Sequence, residues 1–223
     1  MQNYLVALME AVVKLGGSVI TFKEEYKMAK TETINRLSRE IAESGVKVAI
    51  VHGGGSFGHP VAKKYSVHLG LKKSSLMGAA QTMYSMYELN MIITKSLLNH
   101  GLPAVSFPPH SYLLISSEPS IYLETVEEAY LQGFVPVTFG DVVFDIGQGF
   151  RIISGDELAF LLADVLEVDR LIFCIDVDGL YTSDPRRDMN AKLLKEVSPE
   201  EAERIVASSS PALDVTGGMK SKL

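Results

Sequence analysis

The sequence predicts an α/β fold built on a largely parallel sheet. Two observations carry that reading. Short apolar, β-branched runs alternate with segments of helical period, the pattern left by strands joined through crossover helices. The first two of those runs also end in glycine-rich turns about forty residues apart, at strand ends where open α/β sheets gather their ligands.

The elements follow in order. A strand is expected at about Ala11–Leu15. The helix after it, about Thr31–Ser44, places Ile34, Leu37 and Ile41 on one face and stops at Gly45. Val46–Val51 is continuous and apolar, as a strand covered on both faces requires. A long helix, about Leu76–His100, ends at Gly101, and Pro103 prevents its continuation. Short segments then follow near Ala104–Phe107, Tyr112–Ser116, Val135–Phe139, Val142–Asp145 and Phe150–Ile153, the last two forming a hairpin around Gly147-Gln148-Gly149. A helix at about Asp156–Glu167 leads to a strand at Arg170–Ile175. Ser198-Pro199-Glu200-Glu201 opens another helix, with Ser198 as cap and Glu201 closing the box.

Composition narrows the function. The chain has 223 residues, enough for one large domain or two small ones, and 47% hydrophobic residues exclude a disordered chain. The net charge is -6 and no Lys/Arg run exceeds two residues, which argues against a nucleic-acid partner. No stretch reaches the ~18 consecutive apolar residues of a membrane span. Met1–Met9 carries no basic start and no small-residue cleavage site, so a cytoplasmic protein without a signal peptide is expected. Cys174, the sole cysteine, lies in an apolar run and reads as a core residue.

Three glycine sites carry the chemistry. Lys14-Leu15-Gly16-Gly17-Ser18 ends the first strand, and Val51-His52-Gly53-Gly54-Gly55-Ser56-Phe57-Gly58-His59 ends the second. Thr216-Gly217-Gly218-Met219-Lys220-Ser221-Lys222 lies near the end of the sequence. Glycine lets backbone N–H groups approach an anion, and lysine adds a point charge for phosphate oxygens. Three such sites together point to phosphoryl transfer. At the first, Lys14 would meet a polyphosphate and the Gly16–Ser18 N–H groups its oxygens, although a strand-end lysine beside an ordinary turn is the plainer reading. The site is neither a Walker A loop nor a Gly-x-Gly-x-x-Gly fingerprint. Lys23 reaches the same anion or is a surface lysine.

Three consecutive glycines cost backbone entropy unless the main chain is needed there, so the second site is the more specific. His59, expected at a helix entrance between Gly58 and Pro60, can donate to a phosphate oxygen. His68, His100 and His110 read as surface or satisfied core residues. A zinc site from His52 and His59 is rejected, because their spacing matches no helical ligand pair and no cysteine or carboxylate stands with them. Ser154-Gly155-Asp156-Glu157 is a helix cap or part of the site, Gly155 and Asp156 then facing the acceptor or positioning the lysines. Asp176–Tyr181 is a nucleotide loop or a simple Asp-Gly turn. The methionine-rich face of the long helix, with Met77, Met83, Met86, Tyr87 and Met91, is core packing or an apolar pocket.

In this order the motifs resemble the amino acid kinase family, and within it the isopentenyl phosphate kinases. The resemblance rests on Lys14–Thr21 with Lys23, on Val51–His59, on Asp176–Tyr181 and on Thr216–Lys222, and the Ser-Phe-Gly-His run is its most discriminating part. Fosfomycin-resistance kinases share that histidine. The resemblance implies a three-layer αβα sandwich around a mainly parallel sheet in a single domain. Residues of about 1–153 would bind the acceptor, isopentenyl phosphate, and about 154–223 would bind ATP. It further implies that Lys14, Leu15, Gly16, Gly17, Ser18, Gly55, Asp176, Tyr181, Gly218 and Lys222 contact ATP, and that Gly54, Gly58, His59 and Gly155 contact the acceptor phosphate. Lys14, Lys23 and Lys222 would neutralise the transferring group while Mg²⁺ bridges the terminal phosphates. A homodimer is implied as well. Family members continue beyond the third glycine site with strands that this sequence, ending at Leu223, does not include, and its first ten residues extend before the usual start. A kinase for another small phosphate or phosphonate, and a nucleotide-sensing module without activity, are the alternatives.

Overall fold

The computed structural model describes residues 9–116, 120–121, 123–183, 188–198 and 200–201, with the side chains of 120 and 121 excepted. The chain divides into two units, Met1–Cys174 and Ile175–Leu223.

In the first unit β1 (Glu10–Leu15) leads through a single helical turn, α1 (Gly17–Ile20), to α2 (Thr31–Ser44). Then come β2 (Lys47–His52), α3 (Gly55–Lys64), α4 (Leu76–Asn99), β3 (Ala104–Ser106), β4 (Leu113–Ile115) and β5 (Ser120–Ile121). The unit closes with α5 (Glu124–Leu131), β6 (Val135–Phe139), β7 (Asp141–Asp145), β8 (Gly149–Ile153), α6 (Gly155–Val165) and β9 (Arg170–Cys174). Helix α2 has the bounds its pattern predicts, and Gly45 ends it in the left-handed conformation at φ 66°.

Five strands, in the order β3-β6-β2-β1-β9, form one sheet whose every pairing is parallel. The α/β reading with a mainly parallel sheet therefore holds. Period-two alternation sorts the strand residues between two apolar layers. Ala11, Val13, Leu15, Val48 and Ile50 pack with Ile34 of α2 and Leu89, Ile93 and Leu97 of α4. Val12, Ala49 and Val51 face the other way, onto Val126 and Tyr130 of α5 and Leu158, Ala159 and Leu162 of α6. Helices thus cover both faces, as a parallel sheet demands. A second sheet, β5-β4-β7-β8, is mixed: β4 runs parallel to β7, and the β7–β8 pair is the expected hairpin. The methionine face of α4 divides. Met86 is buried, Met83 packs with Ala62, Val142 and Phe150, and Met77 and Met91 stand exposed.

His59 corrects an expectation. It sits inside α3, with Pro60 in the same helix, because α3 begins earlier, at Gly55. Proline removes the hydrogen bond that would reach back four residues to the Ser56 carbonyl. That carbonyl instead accepts the Lys27 N–H at 3.2 Å, so the helix passes through the proline without an orphaned acceptor.

In the second unit Tyr181 and Leu193 form an antiparallel bridge, extended by Thr182 N–H to the Lys192 carbonyl at 3.0 Å and Leu194 N–H to the Leu180 carbonyl at 2.8 Å. Ser198 and Glu201 exchange the reciprocal hydrogen bonds of the expected capping box, at 3.1 and 3.3 Å.

Candidate active site

β1 and β2 pair in register with Leu15 opposite His52, so the turns that follow them start at the same level. Gly53 N–H donates to the Leu15 carbonyl at 3.0 Å, and the two turns then run in contact. A Cβ on Gly17 would stand 2.6 Å from Gly55 N, and one on Gly53 would stand 2.9 Å from Gly17 N. Gly55 also has φ +47°. No side chain fits between these backbones, which is why glycine occupies all three positions. Thr21 fastens them: its hydroxyl donates to the Gly17 carbonyl at 2.7 Å and accepts from Ser56 N–H at 3.0 Å. Leu15, whose side chain is core, joins the turns through its carbonyl.

A third chain segment closes the cradle. A Cβ on Gly155 would stand 3.0 Å from the His52 carbonyl, and one on Gly140 would stand 2.6 Å from Gly155 N. Ser154 and Glu157 form a complete capping box that fixes this start of α6. Three helix starts, those of α1, α3 and α6, therefore meet at the ends of β1 and β2, and their first N–H groups have no intrahelical acceptors.

Accounting for those donors revises the sequence expectation. Gly16 N–H is bound to the Cys174 carbonyl at 2.9 Å, extending the β1–β9 ladder, and is therefore no anion donor. Gly58 N–H is bound within α3 to the Gly54 carbonyl at 2.9 Å. Gly58 is glycine for packing, since a Cβ there would stand 2.8 Å from Met86 Sδ of α4. The donors in the two turns that no described residue engages are the N–H groups of Gly17, Ser18, Gly54 and Gly55.

The charged groups gather around them. Lys14 shares the parity of Val12 and so faces α6, where its Nζ lies 2.6 Å from Asp156 Oδ1. Both residues are 7% exposed. Asp156 stands in the first turn of α6, where the helix dipole favours a carboxylate. The sequence left its role open, and its partner Lys14 is its clearest feature. Lys23 is on the exposed loop after α1. The His59 ring reaches solvent, yet its pKa is lowered, first by desolvation and then by the charges of Lys14 and Lys23. Both lysines therefore lie within electrostatic range of His59. At neutral pH His59 is then an uncharged imidazole with one N–H to donate, and a bound phosphate would draw in a second proton.

His52, weighed from the sequence only as a zinc ligand, has a structural part that the sequence did not indicate. It is fully buried, stacks on Phe139 at 5.0 Å between centroids, and engages both ring nitrogens. Nε2 lies 3.2 Å from Asn90 Nδ2, and Nδ1 lies 3.2 Å from the Gly53 carbonyl. Burial, opposed by the Gly53 bond and aided by Lys14, lowers its pKa to about 4. Its place at the end of a continuous apolar run was the available signal. His68 is exposed and His100 meets Asn35 Oδ1 at 2.8 Å, as expected for histidines outside a site. His110 lies 3.4 Å from the buried Asp141 carboxylate.

The family model of the amino acid kinase family matches residues 9–223. The chain belongs to the amino acid kinase family. Within that family it is 32% identical to the isopentenyl phosphate kinase of Methanocaldococcus jannaschii, over 96% of this chain and 85% of that protein. It is 35% identical to that of Methanothermobacter thermautotrophicus, over 95% of this chain and 84% of that protein. A crystal structure of an isopentenyl phosphate kinase superposes with a TM-score of 0.79 at 33% identity, covering 89% of this chain and 83% of the other. These amino acid kinase relatives share the fold described above.

Of the remaining expected positions, Asp176 and Tyr181 belong to the second unit, where Asp176 is exposed and the Tyr181 hydroxyl donates to Asp178 at 3.0 Å. Gly218 and Lys222 lie outside the described residues. Among the described residues no cluster of three or more His, Cys, Asp or Glu side chains could hold a metal, and no helix is long and apolar enough to cross a membrane.

Proposed function

We propose that this protein transfers the terminal phosphoryl group of ATP to isopentenyl phosphate, giving isopentenyl diphosphate and ADP. The observation that carries this is the likeness to isopentenyl phosphate kinases over nearly the whole chain. The geometry supports it, with lysines and histidine set around a cradle of N–H donors where phosphates would lie.

An oxygen of the acceptor phosphate attacks the terminal phosphorus of ATP, and the bond to the ADP oxygen breaks. The attacking phosphate is already anionic, so no strong base is needed and the protein's work is alignment and charge stabilisation. Lys14, steadied by Asp156, with the N–H groups of Gly17, Ser18 and Gly55, receives the nucleotide phosphates. The N–H of Gly54, the start of α6 at Gly155 and His59 receive the acceptor phosphate. Lys23, whose charge reaches His59, is assigned to share the charge of the transferring group. Asp176, Tyr181, Gly218 and Lys222 are assigned to the nucleotide by resemblance alone, as are an acceptor-binding portion of about 1–153 and a nucleotide-binding portion of about 154–223. Asp156 is engaged by Lys14, and Mg²⁺ is assigned to the ATP complex, whose terminal phosphate charge it would help neutralise. We also assign a cytoplasmic homodimer. Met77, Tyr84, Met91 and Leu98 recur every seventh residue along α4 and are exposed, which supports self-association.

The test is ADP release by the purified protein with ATP and Mg²⁺, with and without isopentenyl phosphate and with fosfomycin instead. Release should depend on isopentenyl phosphate. His59→Ala should slow it about ten- to a hundredfold, the loss of one charge-assisted hydrogen bond, and His59→Asn should recover part. Turnover of fosfomycin alone, or no acceptor-dependent release, would refute the assignment.

A further inference from the structure

We infer that His52 and Asn90 are positioning residues that set the Gly54 N–H toward the acceptor phosphate. The sequence weighed His52 only as a zinc ligand, and it did not single out Asn90.

Three geometric facts lead there. Gly53 and Gly54 follow the last residue of β2, and a glycine pair outside regular structure has a wide choice of peptide orientations. Among the described residues the Gly53 carbonyl nevertheless has one partner, His52 Nδ1 at 3.2 Å. A trans peptide is planar, with its C=O and N–H pointing in opposite directions. Turning the Gly53 carbonyl back toward the buried ring therefore turns the Gly54 N–H away from it, into the cradle between the two glycine turns. No acceptor among the described residues takes that N–H.

The ring itself is held from the other side. Asn90, fully buried on α4, stands with its Nδ2 3.2 Å from Nε2. A backbone carbonyl can only accept, so the contact with Gly53 puts the ring proton on Nδ1 and leaves Nε2 to accept from the Asn90 amide. The relay from α4 to the glycine turn thus has one consistent direction: Asn90 donates to His52, and His52 donates to Gly53. Phe139 stacked on the ring prevents its rotation. The main chain of His52 extends the same control, because its carbonyl accepts Gly140 N–H at 3.0 Å and packs against Gly155. One residue thereby ties together the β2 turn, the β6–β7 connection and the start of α6.

This inference rests on the proposed function for the identity of the anion, but not for the orientation of the peptide. Long-range proton–nitrogen NMR of the histidine rings reads the tautomer directly, and His52 should be protonated on Nδ1. Steady-state kinetics then compare His52→Leu, His52→Asn and Asn90→Leu with the parent. The Asn side-chain nitrogen occupies nearly the place of Nδ1 and keeps the donor to Gly53. His52→Leu should raise KM for isopentenyl phosphate about tenfold or more while KM for ATP stays within about twofold. His52→Asn should restore most of that loss, and Asn90→Leu should fall between them. Protonation on Nε2 in the parent, failure of His52→Asn to rescue, or an equal rise in both KM values would each overturn the inference. A His52→Leu protein that does not fold leaves the tautomer and the Asn90→Leu kinetics to decide. A parent inert toward isopentenyl phosphate would refute the function and leave the tautomer to decide the positioning.

Discussion

Asp156→Asn puts the buried ion pair at the centre of the site to a quantitative test. Lys14 Nζ and Asp156 Oδ1 are 2.6 Å apart, and the two side chains are 9% and 10% exposed. The substitution keeps the shape and removes the charge, leaving an ammonium in a mostly desolvated position. Breaking one half of such a pair costs about 3–5 kcal/mol, and losing an acidic group from the first turn of α6 adds up to about 1 kcal/mol. We expect a loss of about 3 kcal/mol, the low end, because the pair opens toward the ligand cradle. For a chain of this size that is a fall of roughly 6–12 °C in Tm. Lys14→Met strands the carboxylate instead and should cost a similar amount. The double variant removes both charges, so its loss should be well below the sum of the two. Urea unfolding of all four proteins gives the coupling directly, and we expect at least about 2 kcal/mol. Coupling below about 0.5 kcal/mol would refute the reasoning, since the two groups would then be acting independently. Every variant should lose phosphoryl transfer, but the stability cycle does not depend on which acceptor is used.

Two further outcomes can be measured. His52 has a folded-state pKa of about 4 against an ordinary 6.5, so the unfolded chain takes up its proton first and stability falls as pH drops from about 6.5 to about 4. The total is about 3 kcal/mol by urea unfolding, and an unchanged slope in His52→Asn would show that another group is responsible. Gly55→Ala and Gly45→Ala both place a side chain at positive φ, which costs about 1–2 kcal/mol. Nothing lies within 4 Å of a Cβ at Gly45, whereas one at Gly55 would stand 2.8 Å from the Gly17 carbonyl, so Gly55→Ala should cost at least about twice as much by thermal denaturation. Equal losses would remove close approach of the two turns as the reason for that glycine.

Features that depend on near neighbours were legible along the chain. Helix α2 and strand β6 have the bounds their patterns predict, because a left-handed glycine, a helical apolar stripe and a buried β-branched run are local signals. The cradle was legible as glycine next to lysine, and the Ser154–Glu157 box was legible as a cap. Which donors and charges remain for a ligand depends on contacts between distant segments of the chain. Gly16 spends its N–H on Cys174 and Gly58 its N–H on Gly54, and neither commitment is visible in a row of glycines. Helix α3 runs through Pro60 because Lys27, from a distant loop, fills the vacancy. Lys14 finds Asp156, and His52 finds Asn90, only once a parallel sheet has set strand ends and helix starts at one level. Those pairings join residues far apart in the chain, where distance and burial, not residue type, decide whether a polar group is spent within the fold or kept for the ligand.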